Sequence, residues 1–134
     1  MKLLPDSHIL IWALAENGRL SQKVKSLVLS SENDVYFSVV SIWEITIKHI
    51  ARPGHVKFSG QDLAWLCLRA GFTRLDLELA HIHALETLVR VPGAPPHKDP
   101  FDRMLIAQAK AENMTLLTHD ALLSDYNERC VVLV

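Results

Sequence analysis

Few of the features that would place this chain in a specialised class are present. Its 134 residues include two cysteines, Cys67 and Cys130, far apart and without metal-type spacing. That argues against a disulfide framework or zinc knuckle and leaves buried free thiols as the expectation. Net charge is only −1 with the seven histidines counted neutral, so no broad basic field drives nucleic-acid binding and any such contact must be local. Long apolar runs are also missing. The stretch Val35 to Ile45 is broken by Ser38, Ser41 and Glu44, far short of the roughly 20 residues that span a bilayer, so no membrane segment is expected. The opening Met-Lys-Leu-Leu-Pro-Asp reaches a carboxylate before a signal-like apolar region could form, which argues against secretion and for a cytoplasmic protein. Gly-x-x-x-x-Gly-Lys, Gly-x-Gly-x-x-Gly, Gly-x-Ser-x-Gly and His-Glu-x-x-His do not occur, which removes the commonest nucleotide-binding, hydrolase and zinc-protease readings.

What is present fits one folded α/β domain over residues 1–134, with 49% apolar and 22% charged residues. Short apolar runs rich in β-formers alternate with longer helical patterns, the signature of βαβ units around a mainly parallel sheet. Strands are expected at Lys2 to Pro5, Val35 to Ser38, Phe72 to Leu75, Thr115 to Thr118 and Val131 to Val134. Pro5, lacking an N–H, belongs at a strand end or edge. Helices are expected from Ser7 to Ala15 with Asn17-Gly18 closing it, from a Ser21 cap to Leu29, and from Ser41 to Ala51. Further helices are expected over Gln61 to Ala70 with Gly71 as its stop, over Leu77 to Leu88, from Pro100 behind an Asp99 cap to Glu112, and briefly over Ala121 to Tyr126. The helix from Ser41 carries apolar residues all round (Ile42, Trp43, Ile45, Ile47, Ile50), which predicts that it is largely buried. The breakers Pro92, Gly93, Pro95 and Pro96 make Arg90 to His97 a loop.

In open parallel sheets the ligand crevice lies beyond the carboxyl ends of the strands. Asp6 and Asp120 follow apolar strand runs and meet that test, although each alone is read as readily as a turn or cap residue. Glu44 lies three residues after Ser41 and four before Lys48, the spacings of a capping box and of a helical ion pair, yet its surroundings are apolar. Cap and metal ligand both stand. In Asp-Pro-Phe-Asp, Asp99 suits the helix cap and Asp102 the first turn, where the helix dipole alone would favour an acid. Taken as a set, acids from several elements suit magnesium or manganese, which prefer hard oxygen donors. His81 and His83, two apart on a helix, face different directions and read as surface or satisfied histidines.

Four ordered blocks resemble the PIN-domain ribonucleases, and among them the VapC-type toxins of type II toxin–antitoxin pairs. They are Leu-Leu-Pro-Asp6-Ser-His-Ile-Leu-Ile-Trp-Ala-Leu, Phe-Ser-Val-Val-Ser-Ile-Trp-Glu44-Ile, His-Lys-Asp99-Pro-Phe-Asp102-Arg-Met-Leu-Ile-Ala-Gln-Ala and Leu-Leu-Thr-His-Asp120. Pro5, where an aliphatic residue is usual, and Ser7, where threonine is commoner, depart from the family pattern. The resemblance implies a three-layer α/β/α fold with a central mainly parallel sheet. It implies Asp6, Glu44, Asp102 and Asp120 as the catalytic, metal-binding acids for Mg2+ or Mn2+, with Asp99 similar to an additional acid of one branch. Ser7 and Thr118 match polar positions that hydrogen-bond behind those acids. The implied reaction is hydrolysis of an RNA phosphodiester by metal-activated water.

An acidic pocket needs nearby cations to guide RNA. Lys48, His49, Arg52, Lys98 and Arg103 are the candidates, each equally readable as a solvated surface group. The implied partners are a cognate antitoxin protein, RNA and a second copy in a homodimer. Two other classes compete. One is a catalytically silent module that keeps the fold and binds protein or RNA. The other is a phosphoacceptor or phosphatase using Asp6 as nucleophile, which wants a second acid close by where Ser7 and His8 stand.

Overall fold

The computed structural model describes residues 1–15 and 17–134, the side chain of Asn17 excepted. Five strands, β1 (Lys2–Pro5), β2 (Asp34–Ser38), β3 (Thr73–Leu75), β4 (Thr115–Thr118) and β5 (Val131–Leu133), form one sheet in the order β3-β2-β1-β4-β5. Every adjacent pair is parallel, as the βαβ alternation predicts. Helices α1 (Ser7–Leu14), α2 (Gln22–Leu29), α3 (Val39–Ala51), α4 (Gly60–Arg69), α5 (Leu79–Leu85) and α6 (Pro100–Glu112) cover it in a three-layer α/β/α arrangement.

Side chains alternate across the strands and so feed two cores. Leu3 and Leu117 point into one with Ile9, Leu10, Val28, Phe37, Ile45 and Leu63. Leu4 and Leu116 point into the other with Leu105, Ile106, Ala109 and Leu123. The chain builds β1, β2 and β3 outward in one direction and then returns to place β4 on the free side of β1. The reversal puts a switch point between β1 and β4, where the segments leaving the two strands diverge and open a crevice. Pro5 ends β1 and aligns with Leu117 of β4, while pairing with β2 stops at Leu3, so its missing N–H falls where the ladder has already parted.

Several expectations change. α3 begins at Val39 behind a Ser38 cap whose hydroxyl accepts from Val40 N, not at Ser41. Glu44 therefore lies in the second turn, and a capping box with Ser41 does not form. α3 is also only half-buried. Val40, Ser41, Glu44 and Ile45 face inward toward α1, α4, α6 and the sheet, whereas Trp43, Ile47 and Ile50 are exposed on the opposite side. Leu77 to Leu88 yields a shorter helix, Leu79–Leu85, and the short helix expected over Ala121 to Tyr126 is a 3-10 helix, Ala121–Asp125. α1 ends at Leu14, and Asn17-Gly18 enters a 3-10 turn, Asn17–Arg19. Cys67 is buried and free as expected, whereas Cys130 is free and half-buried.

α3 and α4 approach closely at Gly60, where an added Cβ would lie 1.8 Å from Thr46 Oγ1 and 2.9 Å from the Ile42 carbonyl. Only glycine fits there without moving the helix that carries Glu44. Gly71, at φ +85°, stops α4 in the left-handed conformation predicted for it.

Candidate metal and active site

Each acid arrives at the carboxyl edge of the sheet by a local rule. Asp6 leaves β1 and caps α1, with Oδ1 accepting from Ile9 N at 3.0 Å and Oδ2 accepting from Thr118 Oγ1 at 2.6 Å. Thr118, the last residue of β4, also accepts from Asp120 N at 3.1 Å through the same hydroxyl. One buried threonine thus ties the ends of two neighbouring strands together. Asp120 in turn caps the following 3-10 helix, with Oδ1 accepting from Leu122 N at 2.9 Å. Cap and site residue are the same residue here. Helix N-termini favour acids, and the crevice gathers those termini.

Glu44 is buried on the inner face of α3. Ser7 Oγ donates to its Oε1 at 2.7 Å, and Lys48, one turn further along α3, reaches its Oε2 at 2.5 Å. The ion-pair half of the sequence reading holds. Asp99 caps α6 by accepting from Phe101 N at 2.9 Å and Asp102 N at 3.2 Å through Oδ1. Asp102 occupies the first turn as predicted, with Pro100 at the helix start.

Charge shows which of these groups face one another. The Asp102 carboxyl is pushed up to about 7, chiefly by burial and then by the negative charges of Asp99, Glu44, Asp6 and Asp120. Burial also raises Asp6, against the hydrogen bonds from Thr118 and Ile9 that favour its ionised form. Burial alone would lower Lys48, but Glu44, with help from Asp99 and Asp102, holds its ammonium above the usual value. The other four acids singled out in the sequence therefore lie within electrostatic reach of Asp102. A tighter set lies inside this group. Donor atoms of His97, Asp102 and Asp120 all fall within 4.8 Å of one another.

Sequence reasoning passed over His97 and Tyr126. His97 ends the proline-rich loop, and its Nδ1 sits 2.8 Å from the Tyr126 hydroxyl, a residue 29 positions away. Its Nε2 lies 3.4 Å from Asp102 Oδ2. Burial and the charge of Arg90 keep the ring below its usual pKa, so it is neutral near pH 7. The only local signal was position, two residues before Asp99 in a block rich in site residues. Among the cations considered for RNA, Lys48 is committed to Glu44, and His49 Nδ1 is engaged with the Val56 carbonyl at 2.6 Å. The positive charge of Arg103 acts on Tyr126, whereas Arg52 and Lys98 are exposed.

The family model of the PIN domain matches residues 3–128. This chain belongs to the PIN-domain family. Solved structures agree in fold. A chain of VapBC2 from Rickettsia felis, in a complex bound to a DNA fragment from its promoter, superposes with a TM-score of 0.69 at 14% identity, covering 100% of this chain and 98% of that one. A chain of FitAcB from Neisseria gonorrhoeae gives 0.55 at 19% identity, covering 90% and 89%. Among curated proteins, none matches the sequence. Membership of the family makes a nuclease role the general expectation for this PIN domain, and the crevice between β1 and β4 is the place where its acids meet.

Proposed function

We propose that this PIN domain, spanning 1–134, is a metal-dependent endoribonuclease and the toxin of a toxin–antitoxin pair, acting in the cytoplasm. The observation that carries the reading is the gathering of acids at the carboxyl edge of the sheet, where donor atoms of Asp102 and Asp120 lie within 4.8 Å of one another and Thr118 ties the Asp6 carboxylate to the backbone of Asp120. Burial and the charges of Asp99, Glu44, Asp6 and Asp120 push the half-buried Asp102 carboxyl up to about 7. So many acids around one carboxyl cost stability unless a cation offsets them. The donor set consists mainly of hard oxygens, which suits Mg2+ or Mn2+. Asp6, Glu44, Asp102 and Asp120 would hold the ion, with Asp99 at the rim. An ion held there would polarise a phosphate oxygen and lower the pKa of the attacking water.

The residues around the acids have separable tasks. Thr118 fixes the Asp6 carboxylate and the backbone leading to Asp120. Ser7 fixes Glu44 from the first turn of α1. Lys48 neutralises Glu44 from its outer side and would steer a phosphate toward the edge, with Arg52, Lys98 and Arg103 guiding the RNA backbone. Trp43 and Leu68 flank an apolar groove between α3 and α4, and Ile47, Ile50 and Trp65 are exposed on the same two helices. Exposed apolar surface of this kind supports a protein partner, the cognate antitoxin or a second copy in a homodimer.

The purified chain should cut single-stranded RNA with Mg2+ or Mn2+, and chelator or Asp6→Asn should abolish cutting. Cleavage that survives both would overturn the proposal. Binding of RNA without cleavage across a range of metals would instead favour a catalytically silent module.

A further inference from the structure

We infer that His97 is a metal ligand, its Nε2 supplying a nitrogen donor beside the carboxylates of Asp102 and Asp120. The inference rests on the metal-dependent reading above and sharpens it from an all-oxygen site to a mixed one. It starts from an orphan. The His97 side chain is only 4% exposed, and its Nε2 is buried without a hydrogen-bond partner. Buried polar atoms are nearly always partnered, and an exception calls for a cause such as an ion.

Geometry points the same way. Nε2 faces Asp102 Oδ2 at 3.4 Å, within ion-pair range but without the alignment of a hydrogen bond. A charge-assisted N–H···O bond would close to about 2.8 Å. Two donors each about 2.1 Å from one ion lie about 3.0 Å apart at a right angle and about 3.4 Å apart at the tetrahedral angle. The observed gap lies at the upper end of this range, close enough for a shared ion to draw both donors in with a small side-chain adjustment. Asp120, within 4.8 Å of both donors, completes a set of three.

The far side of the ring is built as ligand histidines are built. Nδ1 is held at 2.8 Å by the Tyr126 hydroxyl, and the two rings meet edge to face at 5.6 Å and 84°. Tyr126 is itself covered by the Arg90 guanidinium, 4.7 Å from its ring centre. Holding the non-ligating nitrogen fixes the ring orientation, and with Nδ1–H donating to the Tyr126 hydroxyl oxygen, Nε2 would present its lone pair to the acids. An imidazole ligand favours ions that accept nitrogen over Mg2+, so Mn2+ and Co2+ should bind more tightly than Mg2+.

The test uses the full chain with Mn2+ alone. Electron spin echo modulation of bound Mn2+ should show a 14N coupling, which changes to the 15N pattern in protein carrying 15N-histidine and disappears in His97→Gln. Calorimetry should show Mn2+ affinity lowered about 10- to 100-fold in His97→Gln and less in Tyr126→Phe, which keeps the ligand and loses its support. Tyr126→Phe should also retain the coupling, so the inference stays testable if His97→Gln does not fold. Bound Mn2+ without nitrogen coupling in the wild-type protein, or a coupling that persists in folded His97→Gln, overturns the inference. In either case Asp102→Asn still abolishing Mn2+ binding would leave the functional proposal standing. Failure of the wild-type chain to bind Mn2+ overturns both.

Discussion

Among the described residues, two clusters of His and acid residues have spacings that could hold an ion, and they differ in what they leave unpaired. In the first, His81 is fully buried and fully used. Its Nδ1 accepts from Glu78 N at 3.0 Å and faces Gln108 Nε2 at 3.3 Å, while Nε2 meets Glu112 at 2.9 Å. Gln108 in turn accepts from Ser38 Oγ at 2.5 Å, joining α5, α6 and the start of α3 into one network. Nothing there awaits a partner. In the second, His97 Nε2 is orphaned and Asp102 is pushed up by burial and by its acidic neighbours. The first cluster expends its polar groups on folding, and the second withholds them. A satisfied network is structural, and the difference lies in what remains unpaired, not in residue type.

The largest expected contrast comes from Asp102→Asn. Cleavage should fall by about a hundredfold or more, the scale seen when a group acting on developing charge is removed. The metal-free protein should become more stable, because the substitution removes a charge that four other acids oppose. Thermal melts in chelator, run beside the cleavage assay, check both parts. A destabilised Asp102→Asn variant would erase the distinction between the clusters.

His81→Ala should do the reverse. It opens a cavity and leaves the Glu78 amide, Gln108 and Glu112 without their partner, for a loss of about 2–4 kcal/mol. Mn2+ affinity measured on the folded fraction should stay unchanged. Weakened metal binding would mean that the two clusters are coupled through α6.

Acidity separates the clusters more gently. The Asp102 carboxyl lies at about 7 against an ordinary 3.8, so between those values the folded metal-free chain keeps a proton that the unfolded chain has released. Stability without metal therefore falls as pH rises from about 4 to 7, the raised-pKa sign of the linkage relation. Mn2+ must displace that proton, so its affinity should drop roughly tenfold per pH unit below 7. Calorimetry at pH 5, 6 and 7 reads the slope. A flat profile would place the ion away from Asp102.

These contrasts also mark how far the sequence could be read. Asp6 and Asp120 were legible because one directly follows a strand and the other lies two residues past one, and strand ends are written in local patterning. Asp99 and Asp102 were legible because Asp-Pro marks a helix start. α3 was misread at its start because Ser38 and Ser41 are both sound caps, and the choice falls to the end of β2. Its burial was overstated because apolar periodicity records that a residue avoids water, not whether the covering surface belongs to this chain. His97 was missed for a non-local reason. Its significance lies in Tyr126, 29 residues later, and in an empty hydrogen-bonding position that no sequence displays.

The smallest effect concerns Lys48, the cation this chain itself supplies to the acidic cluster. Its side chain is 42% exposed while Glu44 is 3% exposed, so water screens much of the pair, and Ser7 still holds Glu44 once the lysine is gone. Lys48→Met should cost about 1 kcal/mol or less in chelator. With Mn2+ at saturation the loss should shrink, because an ion in the cluster offsets part of the charge that Lys48 otherwise offsets. Melting curves with and without Mn2+ give the difference directly. An equal loss in both conditions would assign Lys48 to the scaffold, on the side of His81.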